Sequence, residues 1–217
     1  MNSIYTKNTY NIIASKFDKT RYKQWKCVEK FIKTLSKESK ILEAGCGNGK
    51  NLDYMIENDY KNVFGCDISD EFVKICKLKK LNVIESDITN LSYNDNEFDY
   101  CMAIAVIHHL SDGILRKKAI DELIRITRPN GKIFITVSSF EEPFYEKFSQ
   151  EQDQYKNQDQ DHMIPWRDKI TREILVLRYY HLFKKNELEK LCDNEKISSI
   201  DSFYEEKNWC IIIKIKN

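Results

Sequence analysis

Three closely spaced glycines after a short apolar run constrain this chain more than any other feature. Residues 41–50 read ILEAGCGNGK, so that an apolar pair and an acid lead into glycines at every second position. These glycines, Gly45, Gly47 and Gly49, are half of the six in the chain. Glycine permits tight turns and lets another molecule approach the backbone more closely than a side chain would allow. The pattern therefore predicts a strand that ends in a turn, with a ligand held at the turn.

Apolar runs of strand length alternate with amphipathic helical stretches through most of the chain. The most apolar run, 98–107 (FDYCMAIAVI), hardly alternates, which is typical of a central parallel strand covered on both faces. Two later runs, 197–204 and 209–215, predict an antiparallel hairpin. The predicted fold class is α/β, a Rossmann-like seven-stranded, mostly parallel sheet with helices on both faces and a C-terminal antiparallel hairpin. The other predicted strands are 41–42, 63–67, 81–84 and 133–137. Two helices are predicted at 23–35 and 52–56. Three more are predicted from their starts: one capped by Ser69, one capped by Ser111 or Asp112, and a short one opened by a capping box at 186–189.

The length of 217 residues fits one domain. Within it we expect a basic helical arm (1–39), a cofactor-binding half (40–138), a flexible segment on the substrate side (139–177), and a C-terminal helix and hairpin (178–217). The flexible segment is predicted from 151–161, EQDQYKNQDQD, which is polar and contains no branched aliphatic side chain.

The net charge of +1 conceals an uneven distribution along the chain. Residues 1–40 carry ten Lys or Arg against three acids, and the remainder is acidic on balance. Such an arm can hold a polyanionic partner, or it can be the solvated face of a lysine-rich helix.

Cysteine usage and hydropathy bear on the location of the protein. The seven cysteines are scattered and include no Cys-x-x-Cys pair, so neither a disulfide framework nor a metal site is indicated. No stretch approaches the roughly 20 apolar residues of a membrane helix, and the first residues lack the apolar core of a signal peptide. We therefore expect a cytoplasmic or nuclear protein without a membrane partner.

The spacing of the glycines bears on which cofactor the turn holds. A dinucleotide site requires Gly-x-Gly-x-x-Gly, but Lys50 stands three residues after Gly47. The antiparallel ending also argues against a second mononucleotide-binding half. Asp67, twenty residues after Gly47, is placed to accept hydrogen bonds from ribose hydroxyls at the end of the second strand. The alternative is that Asp67 and Asp87 merely cap turns.

On the residues EAGCGNG and the later acid, the chain resembles the class I S-adenosylmethionine-dependent methyltransferases. That resemblance implies S-adenosyl-L-methionine as the cofactor and assigns to it a set of residues: Glu43, Gly45, Gly47, Asp67, Ile68, Asp87, Ile88 and Ala103.

Several stretches outside the glycine motif resemble one subgroup, the eukaryotic tRNA wobble-uridine carboxyl methyltransferases. They are 10–17, Thr20-Arg21-Tyr22-Lys23, 104–109, Pro165-Trp166, Arg178-Tyr179-Tyr180-His181 and Asn208-Trp209. The resemblance implies transfer of a methyl group to the carboxylate of 5-carboxymethyluridine at position 34 of the anticodon. A carboxylate is ionised at neutral pH, so this reaction needs no general base.

The same resemblance suggests roles for residues around the reacting group. Arg21 is expected to grip the carboxylate, and His108 and His109 are the other catalytic candidates, with His109 favoured. Trp166, Arg178, Tyr179 and Tyr180 join Arg21 as substrate-binding candidates, and the aromatic rings can stack an anticodon base. The alternative is that one histidine packs and the other caps a helix, that Arg21 is solvated, and that the aromatics belong to the core.

The resemblance also implies two partners, the tRNA anticodon loop and a small zinc-binding methyltransferase activator subunit. The activator is expected to form a heterodimer by pairing with an exposed edge strand at 81–84. Two rival functions stay open on the sequence: a small-molecule O- or C-methyltransferase, and a non-catalytic RNA-binding scaffold with the same fold.

Overall fold

The computed structural model describes residues 3–141 and 160–217. Its strands are β1 (Lys40–Ala44), β2 (Asn62–Asp67), β3 (Val83–Glu85), β4 (Phe98–Ile104), β5 (Thr127–Ser138), β6 (Asp161–Arg167), β7 (Ile174–His181), β8 (Ile197–Glu205) and β9 (Asn208–Ile215). Its helices are α1 (Ser3–Asp18), α2 (Lys26–Ile32), α3 (Lys50–Glu57), α4 (Asp70–Leu78), α5 (Gly113–Ile126) and α6 (Glu187–Lys190), with a 3₁₀ turn at Ile107–His109.

The main sheet has seven strands in the order β3-β2-β1-β4-β5-β9-β8. β1 to β5 run parallel, and β9 pairs antiparallel with both β5 and β8. This topology confirms the predicted fold class, including the C-terminal hairpin, and it places β3 at one edge.

Two apolar layers cover the faces of the sheet. One contains Phe98 and Ile120 of α5, and the other contains Ile32 of α2 and Leu52 of α3. β4 is buried along most of its length, which explains why its sequence hardly alternates. Because the strands at the centre of a parallel sheet end at one edge, this packing fixes where their carboxyl-terminal loops meet.

The helix ends follow local capping chemistry in two of the three predicted places. Ser69 Oγ accepts a hydrogen bond from the N–H of Phe72, and Asp112 caps α5 through the N–H of Ile114. The predicted capping box at 186–189 is wrong: Asn186 is left-handed (φ 65°) and its side chain makes no capping hydrogen bond, although a short helix does follow.

Two elements near the predicted substrate side were not delimited from the sequence. α1 lies in the arm predicted to be helical but precedes the helix predicted at 23–35, and it packs against α4 and β7. β6 and β7 form a separate two-stranded antiparallel sheet that begins inside the stretch predicted to be flexible, 139–177, and ends beyond it. Of the polar run 151–161 behind that prediction, residues 151–159 lie outside the described part, and Asp161 begins β6.

Candidate active site

The glycine turn follows β1 and has the left-handed backbone that its sequence predicts. Gly45, Gly47 and Gly49 have φ values of 74°, 54° and 76°. A Cβ atom on Gly45 would lie 2.4 Å from Val106 Cγ2 in the loop after β4, so a side chain there is excluded. The turn leads directly into α3, and its N–H groups therefore line the carboxyl edge of the sheet.

Glu43 lies in the buried part of β1 and has a single hydrogen-bond donor among the described side chains. Asn51 Nδ2 donates to Glu43 Oε1 at 2.6 Å, but Glu43 Oε2 and Asn51 Oδ1 are both buried without a partner among the described residues. Burial raises the pKa of Glu43 to about 7. The two unpartnered atoms are acceptors, so this corner is suited to a ligand that brings hydrogen-bond donors and positive charge.

Asp67 lies at the end of β2 and is tied to the glycine turn. Its Oδ2 accepts from the N–H of Gly47 at 2.8 Å and its Oδ1 from the N–H of Ser69 at 2.9 Å. Burial raises the pKa of Asp67 to about 6 despite these hydrogen bonds. Each carboxylate oxygen has a second lone pair, so Asp67 can still accept hydrogen bonds from a ligand.

The other predicted cofactor residues lie along the same edge. Asp87 Oδ1 accepts from both the N–H and the hydroxyl of Thr89, as a turn cap does. Ile88 and Ala103 are buried, and Ile68 is partly buried. Their roles towards a cofactor stay predictions.

Asn48, inside the glycine turn, connects that turn to the end of α1. Its Nδ2 donates to Asp18 Oδ1 at 3.0 Å and to the carbonyl of Arg21 at 2.9 Å. Lys79 extends the link, since its Nζ donates to Asp18 Oδ1 and to the carbonyl of Asn48. The segment that carries Arg21 is therefore fastened to the predicted cofactor loop.

An aromatic–arginine cluster, made of Phe17, Arg21, Trp166, Arg178 and Tyr180, covers this edge. Phe17 is stacked on Trp166 with ring centroids 5.8 Å apart. The Cζ atoms of Arg21 and Arg178 lie 5.6 and 5.0 Å from the Trp166 ring, and that of Arg178 lies 5.2 Å from the Tyr180 ring. α1, β6 and β7 thus bring together four of the five substrate-binding residues predicted from the sequence.

Tyr179 does not join this cluster. Its side chain is 5 % exposed and its hydroxyl donates to Asp161 Oδ1 at 2.6 Å. The stacking role predicted for Tyr179 therefore does not fit the structure, because alternate residues of a strand point to opposite faces.

His108 and His109 follow β4 and are held in defined tautomers. The N–H of Ser138 donates to His108 Nδ1 at 3.0 Å, so that the ring hydrogen of His108 is on Nε2. His109 Nδ1 donates to the carbonyl of Tyr179 at 2.9 Å, which leaves Nε2 as an acceptor. That Nε2 lies 2.6 Å from the hydroxyl of Tyr10 and 3.2 Å from His108 Nε2.

Both histidines are neutral in this arrangement. Burial lowers the pKa of His109 to about 3 and lowers that of His108 well below its usual value. A ring with so low a proton affinity is a poor general base. The ring of His108 stacks on that of Tyr180 with centroids 4.8 Å apart, and His109 meets Tyr180 edge to face. The hydrogen-bonded histidine pair therefore borders the aromatic–arginine cluster.

The sequence analysis gave no role to the residues that support this site, although 10–17 and His181 lie in stretches that carry the family resemblance. Tyr10 and Phe17 are seven residues apart and both face the site from α1, a helical spacing that could have been recognised. His181 Nδ1 lies 2.6 Å from Asp161 Oδ1 and its Nε2 lies 2.6 Å from Glu187 Oε1, which ties β7 to α6. No sequence signal predicts that network, because its members come from three separate elements.

The basic arm has four exposed cations beside the cluster. Lys19, Arg21, Lys23 and Lys26 form no ion pair within residues 3–141 and 160–217. The arm's other six cations each pair with an acid: Lys7, Lys16, Lys30, Lys33, Lys37 and Lys40. The cations of the arm that lack a paired acid are therefore grouped between residues 19 and 26, where Arg21 contacts the cluster.

Comparison with solved structures agrees with the fold. A SAM-dependent methyltransferase of Methanosarcina mazei has a TM-score of 0.69 at 19 % identity, over 89 % of this chain and 98 % of that one. The protein solved in complex with the Trm112 methyltransferase activator of Haloferax volcanii has a TM-score of 0.67 at 14 % identity, over 96 % of this chain and 98 % of that one. None of the helices in the described ranges is long and apolar enough to cross a membrane.

Comparison of sequences is more specific. The methyltransferase domain family matches residues 42–135. A tRNA (carboxymethyluridine(34)-5-O)-methyltransferase of Arabidopsis thaliana is 43 % identical over 138 residues, which are 64 % of this chain and 33 % of that protein. The enzyme of the same name from Schizosaccharomyces pombe is 34 % identical, over 96 % of this chain and 95 % of that protein. The chain thus spans a third of the plant relative but nearly all of the yeast one, and it belongs to the family of the tRNA (carboxymethyluridine(34)-5-O)-methyltransferases.

Proposed function

We propose that this protein transfers a methyl group from S-adenosyl-L-methionine to the carboxylate of 5-carboxymethyluridine at wobble position 34 of tRNA, giving the methyl ester. The neutral histidine pair beside two arginines is the observation that carries the proposal. A carboxylate nucleophile is already ionised at neutral pH and needs a cation near it rather than a base. This site offers Arg21 and Arg178 and no basic histidine.

The residues at the carboxyl edge of the sheet fit the cofactor. S-adenosylmethionine carries an ammonium group and ribose hydroxyls, which are the donors that Glu43 Oε2, Asn51 Oδ1 and Asp67 can accept. The left-handed glycines keep side chains out of the turn, where Val106 lies against Gly45 and Phe17 lies near Gly47. When bound, the cofactor supplies an electrophilic methyl group on a sulfonium.

The chain's own residues orient the nucleophile and exclude water. Phe17 and Trp166 cover the glycine turn, since a Cβ on Gly47 would lie 4.0 Å from Phe17 Cε1 and Phe17 is stacked on Trp166. Water exclusion strengthens the attraction between opposite charges that are neutralised as the ester forms. Tyr10 and the carbonyl of Tyr179 fix His109, which keeps this wall of the site neutral and rigid.

The tRNA contact is proposed to run over the exposed cations beside the site. Lys19, Lys23 and Lys26 are not paired with acids in the described part of the chain, so they can contact phosphate groups of the anticodon stem–loop. Trp166 and Tyr180 are partly buried aromatic rings that can stack an unpaired base. Phosphate contacts position the RNA, and the pocket selects the modified base.

We also propose that a small zinc-binding activator subunit pairs with β3. The Haloferax volcanii protein of the same fold is in complex with the Trm112 methyltransferase activator, and β3 is an edge strand of the main sheet here. Ile84 of β3 is 37 % exposed. An exposed apolar edge strand is a favourable site for pairing with another chain.

Methyl transfer to defined RNA tests the proposed function. The protein, with and without an activator of this kind, is incubated with methyl-labelled S-adenosylmethionine and tRNA that carries 5-carboxymethyluridine, and the nucleosides are then analysed. Label in the ester of the wobble uridine is the expected result. Label only in added small acids supports a small-molecule O- or C-methyltransferase instead. Cofactor binding without turnover in the presence of the activator supports a non-catalytic RNA-binding scaffold.

A further inference from the structure

Arg178 is a cation that has no acidic partner among the described residues. Its Nη1 donates to the hydroxyl of Tyr180 at 2.9 Å, but its Nε is inaccessible to water and has no hydrogen-bond partner among the described residues. It forms no ion pair within residues 3–141 and 160–217. Removing a charged group from water without a partner is unfavourable, so a buried unpaired donor in a native protein calls for an explanation.

The surroundings of Arg178 fix its guanidinium and supply no negative charge. The rings of Trp166 and Tyr180 lie 5.0 and 5.2 Å from its Cζ atom. Its hydrogen-bonding neighbours are the phenol groups of Tyr10 and Tyr180, and the nearby His108 and His109 are uncharged. A guanidinium held between aromatic rings presents its N–H groups in a fixed plane, which suits two-pronged binding of a carboxylate.

Arg21, the residue expected from family resemblance to grip the carboxylate, has a different environment. Its side chain is exposed, and its one hydrogen bond is a long one of 3.4 Å to the carbonyl of Thr20. Its Cζ atom lies 5.6 Å from the Trp166 ring. An exposed cation is screened by water and salt and binds an isolated carboxylate weakly. It is better placed for a phosphate of the RNA backbone.

We propose that Arg178, rather than Arg21, binds the carboxylate of the substrate and thereby selects a charged over an uncharged wobble modification. This inference rests on the proposed function and assigns the charge selectivity of that same site. An acid-bearing uridine supplies the counter-charge that Arg178 lacks among the described residues. An uncharged amide of the same shape leaves Arg178 without a counter-charge. The methyl ester product is uncharged as well, and this favours release of the product.

Binding of two nearly isosteric RNAs tests the assignment. Anticodon stem–loops that carry either 5-carboxymethyluridine or 5-carbamoylmethyluridine are titrated against the intact protein by fluorescence anisotropy, with the cofactor product S-adenosylhomocysteine present. We expect the wild type to bind the carboxylate RNA about tenfold more tightly or better. Arg178→Gln is expected to bind both RNAs with affinities equal within about twofold.

Two control substitutions distinguish the proposed role of Arg178 from the general effect of removing a positive charge. Arg21→Gln is expected to weaken both RNAs equally and to keep the preference. Arg128→Gln removes a cation that pairs with Asp99 at the opposite, amino-terminal ends of β4 and β5, and is expected to change neither affinity. Preference retained in Arg178→Gln, or lost in Arg21→Gln alone, overturns the assignment.

Separate control measurements show whether each variant is folded and whether the wild type is active. The melting temperature and the affinity for S-adenosylhomocysteine are measured for each variant. If Arg178→Gln does not fold, Arg178→Lys decides: a preference reduced below about threefold supports the two-pronged contact, and an unchanged preference overturns it. Methyl transfer by the wild type to the carboxylate RNA is measured in parallel. If the wild type transfers no methyl group, the proposed function is refuted. If the wild type is active and the Arg178 variant keeps the preference for the carboxylate RNA, only the role of Arg178 is refuted.

Discussion

Glu43 is a buried carboxylate with too few hydrogen-bond donors around it. Its pKa is raised to about 7 by burial, against about 4.3 for an unperturbed glutamate. The folded protein therefore binds more protons at this residue than the unfolded chain between about pH 4 and pH 7. Glu43 makes stability fall as the pH rises through that range, and a bound cation reverses the effect.

We predict that Glu43→Gln stabilises the cofactor-free protein at high pH and weakens cofactor binding. At pH 8 the wild type must bury an ionised carboxylate and the variant need not, so we expect the melting temperature to rise by about 2 °C or more. At pH 5 the gain should be much smaller, because Glu43 is then protonated in the folded protein and only its ionisation in the unfolded chain contributes. Thermal denaturation at both pH values and calorimetric titration with S-adenosylmethionine check this.

Glu38→Gln, a change at an exposed acid in the turn before β1, is the matched control and should alter neither property. A gain of equal size at pH 5 and pH 8 would show that packing rather than charge explains the stabilisation.

Residue types and spacing were sufficient to predict acids and glycines at one edge of the sheet, but not the state of the histidines. Glu43 and Asp67 are recognisable because they lie near the ends of two strands of one parallel sheet, and Gly47 because it lies in the turn after the first of them. The tautomer of His109 depends on the carbonyl of Tyr179, seventy residues away in the sequence. Burial, which decides that His109 is neutral, is likewise a property of the assembled structure.

At the scale of elements, the link between α1 and the glycine turn connects cofactor and substrate binding. Asn48 is 3 % exposed and its two hydrogen bonds hold the chain between Asp18 and Arg21. That chain carries Lys19 and Arg21, which we place on the RNA side. The geometry of the turn and the position of the cations are therefore coupled.

We predict that Asn48→Ala impairs RNA binding more than cofactor binding. Loss of two buried hydrogen bonds should release the segment after α1 and raise the KM for tRNA by about tenfold, with a smaller change in the affinity for S-adenosylmethionine. Asn62→Ala removes a similar bond, from Asn62 Nδ2 to the carbonyl of Glu38, at an exposed position and serves as the control. Equal effects of both substitutions on KM would refute the coupling.

The β6–β7 hairpin and the bounds of α1 were not predicted from the sequence, and the reasons can be identified. Pro165 lies inside β6 and argues against a central strand, but β6 pairs only with β7, where a missing N–H is tolerated. In α1, Ile4 and Ile12 are exposed while Ile13 and Ala14 are buried, so its apolar residues form no single stripe. α1 is stabilised by contacts with α4 and β7 rather than by its own pattern.

At the scale of the whole molecule, the order of the strands leaves β3 with one unpaired side in the described structure. The N–H of Gly65 donates to the carbonyl of Asn82, and the N–H of Ser86 donates to the carbonyl of Asp67. Because backbone groups alternate in direction along a strand, the N–H of Glu85 points away from β2. This side is available to a partner strand.

We predict that Glu85→Pro prevents association with the activator and that Glu85→Ala does not. Both substitutions remove the ion pair with Lys7, but only proline removes the outward-facing N–H. Co-purification and analytical ultracentrifugation of the two variants with the activator check the outcome, and the melting temperature confirms that each is folded. Equal binding by both variants would place the partner elsewhere on the surface.

The fold could be predicted from the sequence because its signals are local and agree with one another. β1, β2 and β4 are followed by a glycine turn, an acid or a histidine pair, and each of these three strands leads into a helix of the described structure. The order of the strands follows from right-handed connections. The part built by β6 and β7 depends on long-range packing around Trp166 and Arg178, for which the linear sequence holds no periodic signal.

The pairing of β6 with β7 alone has a consequence for how this enzyme family can diversify. The main sheet obtains its hydrogen bonds without the hairpin, so substitutions in β6 and β7 need not disturb the strands that form the cofactor edge. The hairpin does contact the loop after β4, since the carbonyl of Tyr179 binds His109 and Tyr180 stacks on His108, so an exchanged hairpin has to keep these two contacts. A hairpin grafted onto the same sheet should carry its preference for a modified base with it.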